Sequence, residues 1–333
     1  MNAKQQLGQF MTTNYDYILS GFTQVPDNTR VIEPFCGQGH LLNFSGVKNV
    51  ECYDIEPQIS GTIERDTILC PPDYKNKYVI TNPPYLARNK SSTKSYFDKY
   101  NVNDLYKCFI KELITNTPIG GILIIPLNFW SSIRKSDIDL RRQFLSVFNV
   151  HRLNIFEERV FEDTSYTVCS FQFSIGVSGK IDTYIYPSQK NIKLALNKSN
   201  NYTIGGEIYK LEQSDYVVYR ATRINRNKLN SHIRVKCIDD NKNNMIGMSV
   251  SDTPYIDETD KLTARSYASL IIEPALSDND QQQLVIKFNE FLNEYRTRYH
   301  SLFLTNYRES SDISRKRISF ELVYKIVSHL LRK

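Results

Sequence analysis

The residues best suited to chemistry lie at the end of one short apolar run. Tyr78-Val-Ile-Thr-Asn82-Pro83-Pro84-Tyr85 reads as a strand that empties into Asn-Pro-Pro-Tyr. Two consecutive prolines remove backbone donors and fix an extended, rigid path. Such a corner presents only acceptors, the Asn82 side-chain oxygen and the Pro83 carbonyl, with the Tyr85 ring beside them. That set suits a planar amine such as the N6 amino group of adenine. An isolated tetrapeptide of this kind is also an ordinary surface turn, so the segments upstream decide its meaning.

Two such segments exist. Val31-Ile-Glu33-Pro34-Phe-Cys-Gly37-Gln-Gly39 is a strand that ends in a carboxylate and runs into a Gly-x-Gly turn. Glycines there let backbone approach a ligand, and a carboxylate at the strand tip can accept bonds from a cationic amine. Glu51-Cys-Tyr-Asp54-Ile55-Glu56 follows with acids roughly 20 residues after the glycine turn, a spacing that fits a carboxylate receiving the two hydroxyls of a ribose. Taken singly, a structural turn and a solvated strand end explain these segments equally well. In this order before Asn-Pro-Pro-Tyr, they read as cofactor motifs ahead of a catalytic one.

The elements that must hold these tips alternate in type. Apolar, β-branched runs at 29–35, 49–56, 78–81, 121–126, 150–156 and 166–175 predict strands, and 103–117 and 136–148 predict helices between them. This alternation predicts an α/β fold with a mostly parallel sheet covered on both faces and a ligand beyond the carboxyl ends of its strands. After about residue 176 the chain becomes turn-rich and heavy in Asn and Lys, as at 190–206, and closes with helical patterns at 278–299 and 319–331 joined by a basic connector. A domain change is therefore placed at 176/177, to within about 20 residues. The formal charge is +6, and residues 1–175 hold 18 Lys and Arg against 18 Asp and Glu, so the second part carries the whole excess. With 333 residues, 41% hydrophobic content and a mean hydropathy of −0.43, a soluble two-domain protein is expected. Its longest apolar run, 121–130, is too short for a bilayer span and the first ten residues are polar, so a cytoplasmic, unsecreted chain is expected. Six scattered cysteines without a CxxC pair predict neither a disulfide framework nor a metal site.

Residues 7–175 resemble the amino-methylating DNA methyltransferases that use S-adenosylmethionine, in the N6-adenine subgroup whose cofactor motifs come first and whose target-recognition domain comes last. The resemblance implies a Rossmann-like mixed sheet with helices on both faces in 1–176 and an α+β target-recognition domain in 177–333. Gly8-Gln-Phe10-Met-Thr12-Thr13 is similar to the family's N-terminal motif, which usually has proline at the place of Thr13. By this resemblance Phe10 and Thr12 wall the cofactor and contact its carboxylate, and Glu33, within the motif that includes Pro34, Gly37 and Gly39, accepts the methionine amino group. Asp54 holds the ribose, Ile55 packs on the cofactor adenine and Asp66 reads its exocyclic amine. Phe109, in Asp104-Leu-Tyr-Lys-Cys-Phe109, covers the same ring. Phe161, in Val160-Phe161-Glu-Asp-Thr-Ser-Tyr, stacks with Tyr85 on a flipped target base.

The implied reaction is adenine-specific methylation of double-stranded DNA, with S-adenosyl-L-homocysteine as product. The base must leave the duplex at a cost of a few kcal/mol, and stacking at roughly 1–3 kcal/mol per base offsets much of it. The basic loop with Arg88, Lys90 and Lys94 reads as a phosphate contact or as an ordinary solvated loop. The leading contacts expected in the second domain are Arg296, Arg298, Arg308, Arg315, Lys316 and Arg317. No PD-(D/E)xK nuclease pattern is evident, so any cognate restriction endonuclease is expected to be encoded separately. Methylation of RNA adenine, methylation of protein glutamine and silent nucleic-acid binding are the alternatives; the long basic tail favours duplex DNA.

Overall fold

β-Branched and aromatic residues of the first 200 positions assemble into one nine-stranded sheet in the computed structural model, which describes residues 12–45, 49–161, 166–177, 179–239, 245–309 and 314–332. Strands β1 (Val31–Glu33), β2 (Val50–Asp54), β3 (Ile63–Glu64), β4 (Tyr78–Thr81) and β5 (Gly120–Pro126) pair in parallel. After them come β6 (Phe148–Phe156), β7 (Val168–Ile175), β8 (Lys180–Tyr186) and β9 (Lys190–Ala195). Their spatial order is 3-2-1-4-5-7-6-8-9, with β7 inserted antiparallel between β5 and β6. The chain leaves β1 toward β2 and β3 on one side and returns through β4 to β5 on the other. The reversal of direction therefore lies between β1 and β4, the place where open α/β sheets bind ligands.

Helices cover both faces, and strand alternation shows how. Phe171 of β7 packs edge-on against Phe144 of the helix at Lys135–Val147, with centroids 5.8 Å apart. Its neighbour Ser170 must point the other way, and its Oγ donates to Ile18 O at 2.6 Å in the short helix Tyr15–Ile18. The Rossmann-like mixed sheet implied by the resemblance is thus present. Among the described residues, no helix is long and apolar enough to cross a membrane.

The chain divides into two units, Met1–Trp130 with Arg134–Leu196, and Ser131–Ile133 with Asn197–Lys333. The division at 196/197 falls 20 residues after the expected 176/177, because β8 and β9 continue the first sheet. In β8, Ile181, Thr183 and Ile185 alternate inward, and this strand pairs parallel with β6. With the later division, residues 197–333 hold 21 Lys and Arg against 17 Asp and Glu, a smaller excess than the sequence division suggested.

The second unit is α+β. Strands β10 (Val217–Arg220), β11 (Ile233–Lys236), β13 (Gly247–Val250) and β14 (Tyr267–Glu273) form an antiparallel sheet ordered 10-14-11-13, and β12 (Ile238–Asp239), β15 (Thr305–Glu309) and β16 (Ser314–Arg317) form a second one. Helices α1 (Asp278–Tyr299) and α2 (Phe320–Leu330) bury Leu284, Phe288, Leu292, Val323 and Ile326 in a core with Ile233, Val235, Leu270 and Ile272. Both begin at serine caps: Ser277 accepts from Asp280 N and Ser319 from Leu322 N. The connector between these helices is partly a β-hairpin.

Gly121 makes the close approach of β4 and β5 feasible. A Cβ there would lie 2.4 Å from Val79 O and 3.0 Å from the Phe173 ring. Gly121→Ala should therefore force apart the strand that carries Asn82, costing about 1–3 kcal/mol. A urea midpoint equal to that of the parent protein would contradict this account.

Candidate active site

The tips of β1 and β4 are joined by a buried carboxylate. Glu33 ends β1 at 1% exposure, and its Oε1 accepts from Thr81 Oγ1 at the end of β4 and, at 3.4 Å, from Phe35 N. Its Oε2 is buried with no hydrogen-bond partner among the described residues. Burial pushes the Glu33 carboxyl well above its ordinary value, with the Thr81 bond opposing the shift. An orphaned, desolvated oxygen is unfavourable in isolation and suits a cationic donor.

A cavity opens beside these tips. Its wall includes Thr12, Phe35, Gly37, Asp54, Ile55, Asp66, Asn82 and Pro84, which brings together residues that are far apart in sequence. Asp54, at the end of β2, accepts from Gly37 N at 2.7 Å and Glu56 N at 2.9 Å, so it both lines the cavity and holds the glycine turn. Gly37 and Gly39 have φ of +50° and +72°, and a Cβ at Gly39 would meet Ile59 at 2.7 Å. Pro34 uses its carbonyl to accept from Thr67 Oγ1 at 2.9 Å. Ile55 keeps 43% of its surface exposed at the cavity, which leaves an apolar surface for a ring. Asp66 accepts from Ile68 N and Leu69 N through Oδ1 and from Tyr96 Oη, at 2.8 Å, through Oδ2.

Other placements differ from expectation. Phe109 is buried one layer behind the wall, edge-on to Phe35 with centroids 5.1 Å apart, and it is Phe35 that faces the cavity. Phe161 is also buried, at 4% exposure. Phe10 lies outside the described residues. Sequence reasoning did not single out Thr81, Phe35 or Tyr96. Phe35 carried a signal, since it sits between Pro34 and the glycine turn, whereas Tyr96 reaches Asp66 only through the fold.

The Asn-Pro-Pro-Tyr corner is held from both ends. Asn82 Nδ2 donates to Thr12 Oγ1 at 3.1 Å, which turns Oδ1 toward the Tyr85 hydroxyl. Tyr85 is 4% exposed, its ring lies edge-on to Tyr106, and its hydroxyl also reaches Ile124 O at 2.7 Å. Burial pushes its phenol well above the ordinary value, so the group is a neutral O–H donor. Downstream, Leu105 N donates to Leu86 O at 3.2 Å and Arg88 N to Asn103 O at 2.9 Å.

The basic residues divide into engaged and exposed groups. Arg88 pairs with Asp98 at 2.5 Å, Lys94 donates to the carbonyls of Arg88 and Ser91, and Lys90 is exposed. Arg296 requires correction as an outward contact. It packs under the chain with 16% of its side chain exposed, 3.6 Å from Asp239 and donating to Ile246 O at 3.0 Å. Lys316 requires the same correction: β16 register sets it beside Asp239, and it is 7% exposed. Arg298 bonds to Glu294 at 3.1 Å and remains half exposed, while Arg315 and Arg317 are intermediate in exposure. The side chain of Arg308 lies outside the described residues.

Residues 66–161, the segment containing Asp66 and the Asn-Pro-Pro-Tyr corner, match the family model described as Eco57I restriction-modification methylase. Among solved structures, the chain is similar to a modification subunit ascribed to a type I restriction enzyme from Vibrio vulnificus YJ016, at 14% identity over 56% of this chain and 49% of that one, with a TM-score of 0.43. It is also similar to the type IIG restriction endonuclease BpuSI, at 15% identity over 65% and 36% of the two chains with a TM-score of 0.39. A third is the type I restriction-modification system methyltransferase subunit from Streptococcus thermophilus, at 11% over 54% and 47% with a TM-score of 0.39. The chain spans about half the length of these proteins or less. No curated protein sequence matches it.

The residues fit S-adenosylmethionine: Glu33 Oε2 offers its ammonium an acceptor, Asp54 carboxylate oxygens and Ile55 an apolar surface. Because Glu33 is raised above 4.5 in the fold, it stabilises the protein while protonated, below that pH, and the contribution is lost as pH rises toward its folded value. Glu33→Gln should therefore stabilise the cofactor-free protein at pH 7 and weaken S-adenosylmethionine binding roughly 10- to 100-fold, as expected for loss of a hydrogen bond to a charged group. Calorimetry in buffers of different ionisation enthalpy should show proton release on binding to the parent protein and none to the variant; equal release by both would refute the role of Glu33. Residues 66–161 are thus similar to a restriction-modification methylase family, and the strand order and the buried Glu33 carboxylate beside the cavity fit S-adenosylmethionine as the cofactor.

Proposed function

We propose that the chain methylates N6 of an adenine extruded from duplex DNA, the first unit performing the transfer and the second recognising the target. The observation that carries this reading is the position of Asn82: a rigid acceptor corner at the tip of β4 opens on the same cavity as Asp54, Ile55 and Asp66. The printed descriptions of the matched family and of the type I subunits refer to restriction and modification, which supports DNA as the substrate class. The basic excess of residues 197–333 agrees with a polyanionic partner.

Adenine N6 is a weak nucleophile because its lone pair is delocalised into the ring. S-adenosylmethionine supplies an electrophilic sulfonium methyl. The protein's work is to accept the amine hydrogens at Asn82 Oδ1 and the Pro83 carbonyl, which localises the lone pair and stabilises charge growing on nitrogen. Thr12 fixes the amide orientation needed for this role. The Tyr85 hydroxyl occupies one approach to Oδ1, and Ile124 O gives that hydroxyl a second acceptor when the amine arrives. Stacking on the Tyr85 ring requires it to leave its seat against Tyr106. The methylated nitrogen is acidic enough to lose its proton to water, so no dedicated base is needed.

Incubating the purified chain with labelled cofactor and duplex DNA, RNA or protein, followed by mass spectrometry of the digests, tests the reading. N6-methyladenine in the duplex is the expected product; label confined to RNA or to glutamine overturns it. Asn82→Ala should lower turnover by about 10²–10³ through loss of a transition-state acceptor, with cofactor affinity changed less than about threefold; a parallel loss of both would assign Asn82 to folding instead. Tyr85→Ala should lose less activity on a mispaired adenine than on a paired one, since mispairing reduces the extrusion cost. Equal losses would argue against stacking.

A further inference from the structure

The turn that carries Asp66 is gripped by one short helix, Ser95–Tyr100, which follows the loop after the Asn-Pro-Pro-Tyr corner. Its Tyr96, Lys99 and Tyr100 are spaced i, i+3 and i+4, so they share one face. All three reach the turn at 66–69. Tyr96 Oη donates to Asp66 Oδ2 at 2.8 Å, Lys99 Nζ to Ile68 O at 3.1 Å and Leu69 O at 3.0 Å, and Tyr100 Oη to Ile68 O at 2.9 Å. Phe97 is 1% exposed in an apolar cluster with Ile68, Leu86 and Leu105, so the helix is itself fixed. Arg65 braces the end of the turn by donating to Cys70 O at 2.6 Å and Pro71 O at 3.1 Å.

The two oxygens of Asp66 are used unequally. Oδ1 accepts from Ile68 N at 3.1 Å and Leu69 N at 3.0 Å, which fills it, whereas Oδ2 accepts from Tyr96 and has room for one more donor. Asp66 and Tyr96 both line the cavity, together with Ile55 and Thr93. Burial, with the Asp66 bond adding to it, pushes the Tyr96 phenol up to about 12, so at neutral pH it remains a hydroxyl that donates. An acceptor held in place by a fixed donor favours a ring amine, which brings N–H groups, over a ring carbonyl, which brings lone pairs. We propose that Tyr96 is a positioning residue for the cofactor: it holds Asp66 Oδ2 toward the exocyclic amine of the adenine ring, and the grip of helix Ser95–Tyr100 on the turn makes the cavity select an aminopurine over an oxopurine. The inference deepens the reading of this cavity as the S-adenosylmethionine site and rests on it.

Isothermal titration of the full chain with S-adenosyl-L-homocysteine and with its 6-oxo counterpart, S-inosyl-L-homocysteine, tests this role. The two ligands share their ribose and amino-acid parts and differ in the ring that Asp66 faces. Tyr96→Phe keeps the aromatic ring and removes the donor; it should weaken adenosyl binding roughly 3- to 10-fold, as for loss of one hydrogen bond, while inosyl binding changes less than about twofold. Lys99→Met, at an exposed position, should lower the adenosyl-to-inosyl preference in the same direction. A purely structural role, in which the cavity loosens, would weaken both ligands equally in Tyr96→Phe; that result overturns the proposal, as does an unchanged preference. Asp66→Asn separates the proposal from the reading beneath it. If Asp66→Asn abolishes the preference and Tyr96→Phe preserves it, Asp66 reads the ring unaided and only the positioning role falls, whereas a parent protein that binds neither compound removes the cofactor reading as well. None of these titrations involves DNA, so a preference that is lost in Tyr96→Phe, in a parent that leaves duplex DNA unmethylated, keeps this inference and removes the proposed reaction.

Discussion

A carboxylate sealed between two parallel strand tips is the constraint around which the first unit is organised. Taking Glu33 out of water costs several kcal/mol unless its oxygens are matched. Thr81 and the Phe35 amide match one oxygen and leave the other without a partner among the described residues. The same bond that relieves part of this cost ties β1 to β4, and so sets the cofactor side of the cavity against the acceptor corner that begins at the next residue, Asn82. Site geometry and an unfavourably buried carboxylate are thus one feature. A ligand ammonium at Oε2, as proposed for the cofactor, would resolve the imbalance.

The corner itself owes its stiffness to chemistry that is local and to anchors that are not. Pro83 and Pro84 restrict the backbone by covalent geometry alone. The direction of the Asn82 amide is decided by Thr12, 70 residues earlier, and the seat of Tyr85 by Ile124 and Tyr106. The tyrosine hydroxyl lies within hydrogen-bond reach of two acceptors, Asn82 Oδ1 and Ile124 O. On the proposed reading, admitting a base would exchange one set of hydrogen bonds for another while the proline-stiffened backbone stays fixed.

This division explains what was legible in the sequence. Glu33, Asp54, Ile55, Asp66 and Asn82 belong to motifs whose meaning comes from short spacings, and the fold brings them to one cavity. Phe109 was legible as an apolar helix residue, but whether it or Phe35 forms the wall depends on how helix and strand pack. The strands β8 and β9 were hidden by their Lys and Asn content. The inward alternation of Ile181, Thr183 and Ile185 was the available signal. Arginines were the least legible, because charge is visible in sequence and its neutralisation is not. Arg296 looks like an exposed cation at a helix end until Asp239, 57 residues earlier, is found beneath it.

The same reasoning assigns electrostatic weight within the second unit. A cation paired to a buried carboxylate contributes little field at the surface, since the pair is nearly neutral at a distance of more than a few ångströms. Counting charges by segment therefore overstates what Arg296 contributes at the surface. Alternation on β11 separates its roles by parity: Ile233 and Val235 stabilise the core, while Arg234 and Lys236 lie on the other face, where Lys236 is 7% exposed beside the Tyr267 ring.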